Sequence, residues 1–116
     1  MQEKEIALFA GLRKLRELER KHLPFARSLA EFDLIIEIGY HEERGKALTY
    51  KHLLTLGFCA RTTLNRRLNG LVEQGVITRT RSARDARAVV LGVSKSAMQR
   101  LHRYRDGVIA LLTEAR

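Results

Sequence analysis

A chain of 116 residues, 45% hydrophobic and 30% charged, is sized for a single domain, and no apolar run approaches the roughly 20 residues that a membrane span needs. One cysteine, Cys59, excludes an intramolecular disulfide and offers no metal-ligand spacing; with no secretory leader pattern at the start, a cytoplasmic setting is expected. The formal net charge of +9 lies in the second half, where residues 61–116 hold twelve Lys/Arg against four Asp/Glu while residues 1–60 hold ten against nine. An arginine-rich excess suits phosphate better than a membrane surface, because the guanidinium fork binds phosphate oxygens in pairs.

In chain order, Ile6, Leu8, Phe9, Leu12, Leu15 and Leu18 recur at helical spacing between charged residues, so an amphipathic helix is predicted that ends before Pro24. Ser28 and Glu31 have the form of a capping box and open a second, largely apolar helix, LAEFDLIIEIGYH. After a polar loop, EERGK, Thr49 caps the short helix YKHLLTL, which Gly57 closes. A further helix starts near Arg61, turns Leu64, Leu68 and Leu71 to one face and stops at Gly75. The period then changes: VITRTRS and RAVVLGV, separated by ARDA, read as a two-stranded antiparallel hairpin. Ser94 caps a last helix with an apolar stripe of Ala97, Leu101, Tyr104, Val108 and Leu111. With no repeat and no linker, residues 1–116 form one mainly α domain with a small β-hairpin.

A short helix, a tight turn, a helix with polar residues near its start and then a hairpin describe a winged helix-turn-helix. The second helix of such a pair enters the major groove. Here its solvent-facing residues are expected to be Arg61, Thr62, Thr63, Asn65, Arg66 and Asn69. Arginine reads guanine, asparagine reads adenine, and threonine serves as a phosphate donor or meets the thymine methyl. The hairpin tip becomes the wing, with Arg81, Arg84 and Arg87 directed to the minor groove or its phosphates.

These segments resemble the MarR-type transcriptional regulators. ARTTLNRRLNGLVEQG, from Ala60 to Gly75, is similar to the family's reading helix, and RSARDARAVVLGVS, from Arg81 to Ser94, carries its Asp-x-Arg wing at Asp85 and Arg87. The chain departs from the pattern by being short, by Phe58 and Cys59 in the turn, by Arg67 at an often apolar position and by Gly70 inside the helix. The resemblance implies a homodimer held by helices at residues 1–23 and 95–116, around a DNA-binding unit at 48–93. It also implies double-stranded DNA read as a pseudo-palindrome, an Asp85 that steadies the tip by ion pairing, and an Arg87 facing the minor groove. A bland alternative makes Asp85 a favourable turn residue.

Family members of this kind bind small aromatic effectors or sense oxidants through a cysteine; nothing in the sequence identifies an effector, and Cys59 reads first as a small packing residue. The scattered histidines give no metal site, and no cofactor is expected. A winged helix that has exchanged DNA for a protein partner is the alternative function. Catalysis is not expected: Cys59 in GFCART has no histidine beside it, which disfavours an alkyl-transfer enzyme.

Overall fold

The computed structural model describes residues 7–85 and 87–114, without the Glu114 side chain; Ile6, assigned above to the first helix, lies outside them. Five helices and one hairpin follow in the order α1 (Leu8–His22), α2 (Leu29–Glu43), α3 (Tyr50–Thr55), α4 (Arg61–Glu73), β1 (Ile77–Arg81), β2 (Val89–Val93) and α5 (Lys95–Glu114). The mainly α architecture with a small antiparallel hairpin is that expected of a winged helix-turn-helix.

Local chemistry accounts for the boundaries. The Ser28 hydroxyl accepts from the Glu31 N–H at 3.2 Å, and the Glu31 carboxylate reaches back to the N–H of Arg27, one residue earlier than the Ser28 N–H of a standard capping box. Thr49 accepts from the His52 N–H at 3.1 Å and Ser94 from the Ala97 N–H at 3.2 Å, which opens α3 and α5. Gly57 and Gly75, at φ of 73° and 74°, take the left-handed conformation that ends α3 and α4 without a Cβ penalty. Where the sequence suggested a loop from Glu42, α2 continues to Glu43, and Glu42 Oε1 accepts from the Val93 N–H at 3.2 Å. A long-range partner on β2 thus holds the last helical turn that local propensity left open.

The core lies where α2, α3 and α4 meet the hairpin. Leu34, Ile35 and Ile38 of α2, Leu53 of α3, and Leu64, Leu68 and Leu71 of α4 are buried together with Ile77, Leu91 and Ala97. In the hairpin Ile77 pairs with Val93, Arg79 with Leu91 and Arg81 with Val89. The segment before α3 extends the sheet on the other side: Leu91 N–H donates to the Leu48 carbonyl at 2.8 Å, and Thr49 bridges Val90. This ties the start of the helix-turn-helix to the wing through backbone bonds.

The two terminal helices form an arm. Gly107 permits the approach of α1 to α5, since a Cβ there would stand 2.8 Å from Leu18 Cδ2. Tyr104 of α5 meets Phe32 edge-on with ring centroids 6.1 Å apart. Burial pushes the Tyr104 hydroxyl above its ordinary range; the Glu19 carboxylate adds to that and Arg16 opposes it. The arm gives an extent of 59 × 27 × 23 Å and a radius of gyration of 16.7 Å. A compact domain of this length would have a radius of about 13 Å.

Gly70, mid-helix in α4, has nothing within 4 Å of the position a Cβ would take. Helical glycine costs about 1 kcal/mol relative to alanine. Gly70→Ala is therefore expected to raise Tm by about 4 °C in a thermal melt, with the spectrum of the folded protein unchanged.

Candidate nucleic-acid interface

Burial of Leu64, Leu68 and Leu71 fixes the rotation of α4 and turns its polar residues outward. Arg61, Thr62, Arg66 and Asn69 are exposed. Thr63 and Asn65 are only half-exposed, which corrects the expectation that all six face solvent. Each stands one residue, about 100° of helix, from Leu64, and so lies on the shoulder of the buried stripe. Ala60 caps α4 without a side-chain hydrogen bond, leaving its first N–H groups open to an acceptor from outside.

Asn65 and Asn69, four residues and so one helical turn apart, look toward the hairpin. There a cleft of about 480 Å³ is lined by Tyr50, Asn65, Asn69, Arg79, Thr80 and Val89. The Tyr50 hydroxyl donates to Asn65 Oδ1, and Arg79 Nη1 donates to Asn69 Oδ1 at 2.7 Å. Neither partner stands out in the sequence. Arg79 sits in a run of β-forming residues ahead of the arginines of the tip, and Tyr50 follows a helix cap 15 residues from Asn65. Local pattern gives no sign of either contact.

The tip is wider than the sequence suggested, because the strands stop at Arg81 and resume at Val89. Ser82 closes it: its N–H donates to the Ala88 carbonyl at 2.9 Å, and its hydroxyl accepts from the N–H of Arg84 at 3.2 Å and of Asp85 at 3.4 Å. Asp85 Oδ1 accepts from the backbone N–H of Arg87 at 2.9 Å. The expected ion pair gives way to a backbone contact, since a short carboxylate reaches the amide two residues on more readily than it reaches a flexible guanidinium. Asp85 is a turn former. Arg81, Arg84 and Arg87 are exposed, and among the described residues Arg61, Arg66, Arg84 and Arg87 make no ion pair with a carboxylate. Backbone bonds hold the loop while its cations stay available to an outside anion.

A model of the MarR family matches residues 27–88, from the start of α2 to the far side of the wing tip. The chain belongs to the MarR family. Its sequence has no match among curated proteins. Among solved structures, the transcriptional regulator Tm0710 from Thermotoga maritima matches this MarR-family chain with a TM-score of 0.69 and 21% identity, over 92% of this chain and 70% of that one. S. aureus MepR in its complex with DNA matches with a TM-score of 0.73 and 13% identity, over 91% and 75%. An E. coli MarR variant complexed with operator DNA matches with a TM-score of 0.59 and 20% identity, over 92% and 74%. At these identities the likeness shows a shared winged-helix fold with terminal helices.

Two further features of the MarR-family chain bear on its chemistry. Cys59 is half-buried and packs against the core from the turn before α4. A groove of about 650 Å³ runs between α2 and α5, lined by Ile35, Ile36, Tyr40, Met98, Leu101 and His102 among others.

Proposed function

We propose that this MarR-family chain is a dimeric, sequence-specific DNA-binding transcriptional regulator, with α4 in the major groove and the hairpin at the minor groove of each half-site. One observation carries the reading: among the described residues, the exposed Arg61 and Arg66 of α4 and Arg84 and Arg87 of the wing are cations with no carboxylate partner, and the Thr62 hydroxyl is exposed beside them. In this reading residues 48–93 form the DNA-binding unit, and Arg81 joins Arg84 and Arg87 at the phosphates. DNA bound to the MepR structure and operator DNA bound to the MarR variant, both of the same fold, support the assignment.

Dimerisation is supported by the arm. Leu8, Phe9 and Leu12 of α1 and Ile109 and Leu112 of α5 are exposed, Phe9 by 79%, although α1 and α5 already pack on each other. Large apolar side chains clustered on two helices in this way are seldom left open to water. A second copy covering them makes a two-fold assembly, and two α4 helices related by that axis read a pseudo-palindrome. An effector, in the same reading, takes the α2–α5 groove, whose size and apolar lining suit a small aromatic molecule.

The test is selection from a random duplex pool at two salt concentrations, followed by sequencing of the bound fraction. Enrichment of a two-fold-symmetric site with steeply salt-dependent affinity is the expected result. No binding at low salt overturns the reading and turns attention to a protein partner for the same surface.

A further inference from the structure

We infer that Tyr50 and Arg79 set the base preference of α4: they hold the carboxamide oxygens of Asn65 and Asn69 inward, so that the helix offers DNA donors rather than the mixed edge that adenine requires. The inference rests on the reading of α4 as the base-reading helix. A free asparagine has one acceptor oxygen and an NH₂ with two donors, and its pairing with adenine uses both, the oxygen accepting from N6 and the nitrogen donating to N7.

In this chain the oxygens are already engaged. Arg79 Nη1 lies 2.7 Å from Asn69 Oδ1, and because a guanidinium has donors only, the atom facing it must be the amide oxygen. The half-buried Tyr50 hydroxyl donates to Oδ1 of the half-buried Asn65. Both contacts lie in the cleft between α4 and β1, which leaves the Nδ2 groups as what the two side chains have to offer a base. Arg61 and Arg66 on the same helix are donors as well.

An exposed hydrogen bond is worth little while water competes for it. Docking of a base edge over the cleft removes that water, and breaking the Arg79–Asn69 bond then leaves a desolvated guanidinium N–H without a partner. The orientation therefore persists in the complex. A donor face fits guanine, with O6 and N7, and thymine, with O4. It meets the amino group of cytosine donor to donor and pairs with adenine through N7 alone. The simple expectation that these asparagines read adenine is replaced by a preference for keto bases.

The experiment repeats the random-duplex selection with the wild-type chain and with Tyr50→Phe, Arg79→Met and Asn69→Asp, the positions read by the two asparagines being located by Asn65→Ala and Asn69→Ala. Wild type is expected to enrich guanine or thymine at those positions. Tyr50→Phe keeps the ring and releases Asn65, so adenine should gain about tenfold at its position; Arg79→Met does the same at the Asn69 position. Asn69→Asp keeps an oxygen for Arg79 but removes the donors, and should abolish the keto preference there.

Thermal melts identify which variants are folded. Adenine already dominant in wild type overturns the inference. So do unchanged preferences in the folded variants, including a uniform loss of affinity in Arg79→Met, which makes Arg79 a plain phosphate contact. If wild type enriches no duplex, the DNA-binding reading falls and this inference with it. Enrichment with unaltered preferences removes the inference alone.

Discussion

Phe9→Asp combined with Ile109→Asp is expected to convert the protein to a monomer and to weaken binding of a two-half-site operator by about 100-fold or more. Phe9 and Ile109 are 79% and 53% exposed on the arm, so a carboxylate at either place meets water in the single chain and disturbs none of its buried core. In the proposed two-fold dimer the same carboxylates would be buried against apolar side chains, at a cost that no partner charge offsets. The operator is then deprived of the gain that comes from linking two half-sites, which is of order 10²–10⁴. Analytical ultracentrifugation reads the mass, and fluorescence anisotropy on one-site and two-site duplexes reads the affinity. A variant that sediments as wild type does, with unaltered affinity for both duplexes, places the dimer contact elsewhere.

Removing the wing cations has an effect of a different kind. Arg84→Ala with Arg87→Ala should weaken binding to all sequences alike and make the dependence of log Kobs on log salt shallower by about 0.9 for each phosphate that is no longer neutralised. Base preference should stay as it was. Arg66→Ala, on the outward face of α4, should instead relax preference at one or two positions, by about 1–3 kcal/mol for the favoured base. The tip stays folded in the double variant, because the contacts that close it run through Ser82, Asp85 and backbone groups and use neither guanidinium. Binding curves on random and selected duplexes at several salt concentrations separate the two effects. Sequence-selective loss on removing Arg84 and Arg87 would overturn the division between wing and reader.

The frame of this molecule was legible because local rules fix it. Thr49 and Ser94 cap as their types predict, Gly57 and Gly75 take the positive φ that ends a helix, and the spacing of Leu64, Leu68 and Leu71 fixes which face of α4 is outward. β-branched runs gave both strands to within two residues at each end. What escaped depends on neighbours distant in sequence. Glu42 stays helical because it meets Val93, 51 residues on. Asn65 and Asn69 looked like free readers because periodicity says which way a side chain points and not what it touches on the next element. At Asp85 the choice between a guanidinium and an amide is one of reach, which composition does not encode.

The open side of the hairpin has a further consequence. β2 is covered along its second edge by Leu48, Thr49 and Glu42, but β1 pairs with β2 alone among the described residues. A bare strand edge is a template for the edge of another molecule, and charged side chains along it are what discourage such growth. On β1 those charges are Arg79 and Arg81. Neutral replacements of both arginines are therefore expected to make a concentrated stock more prone to precipitate, whatever they do to DNA binding.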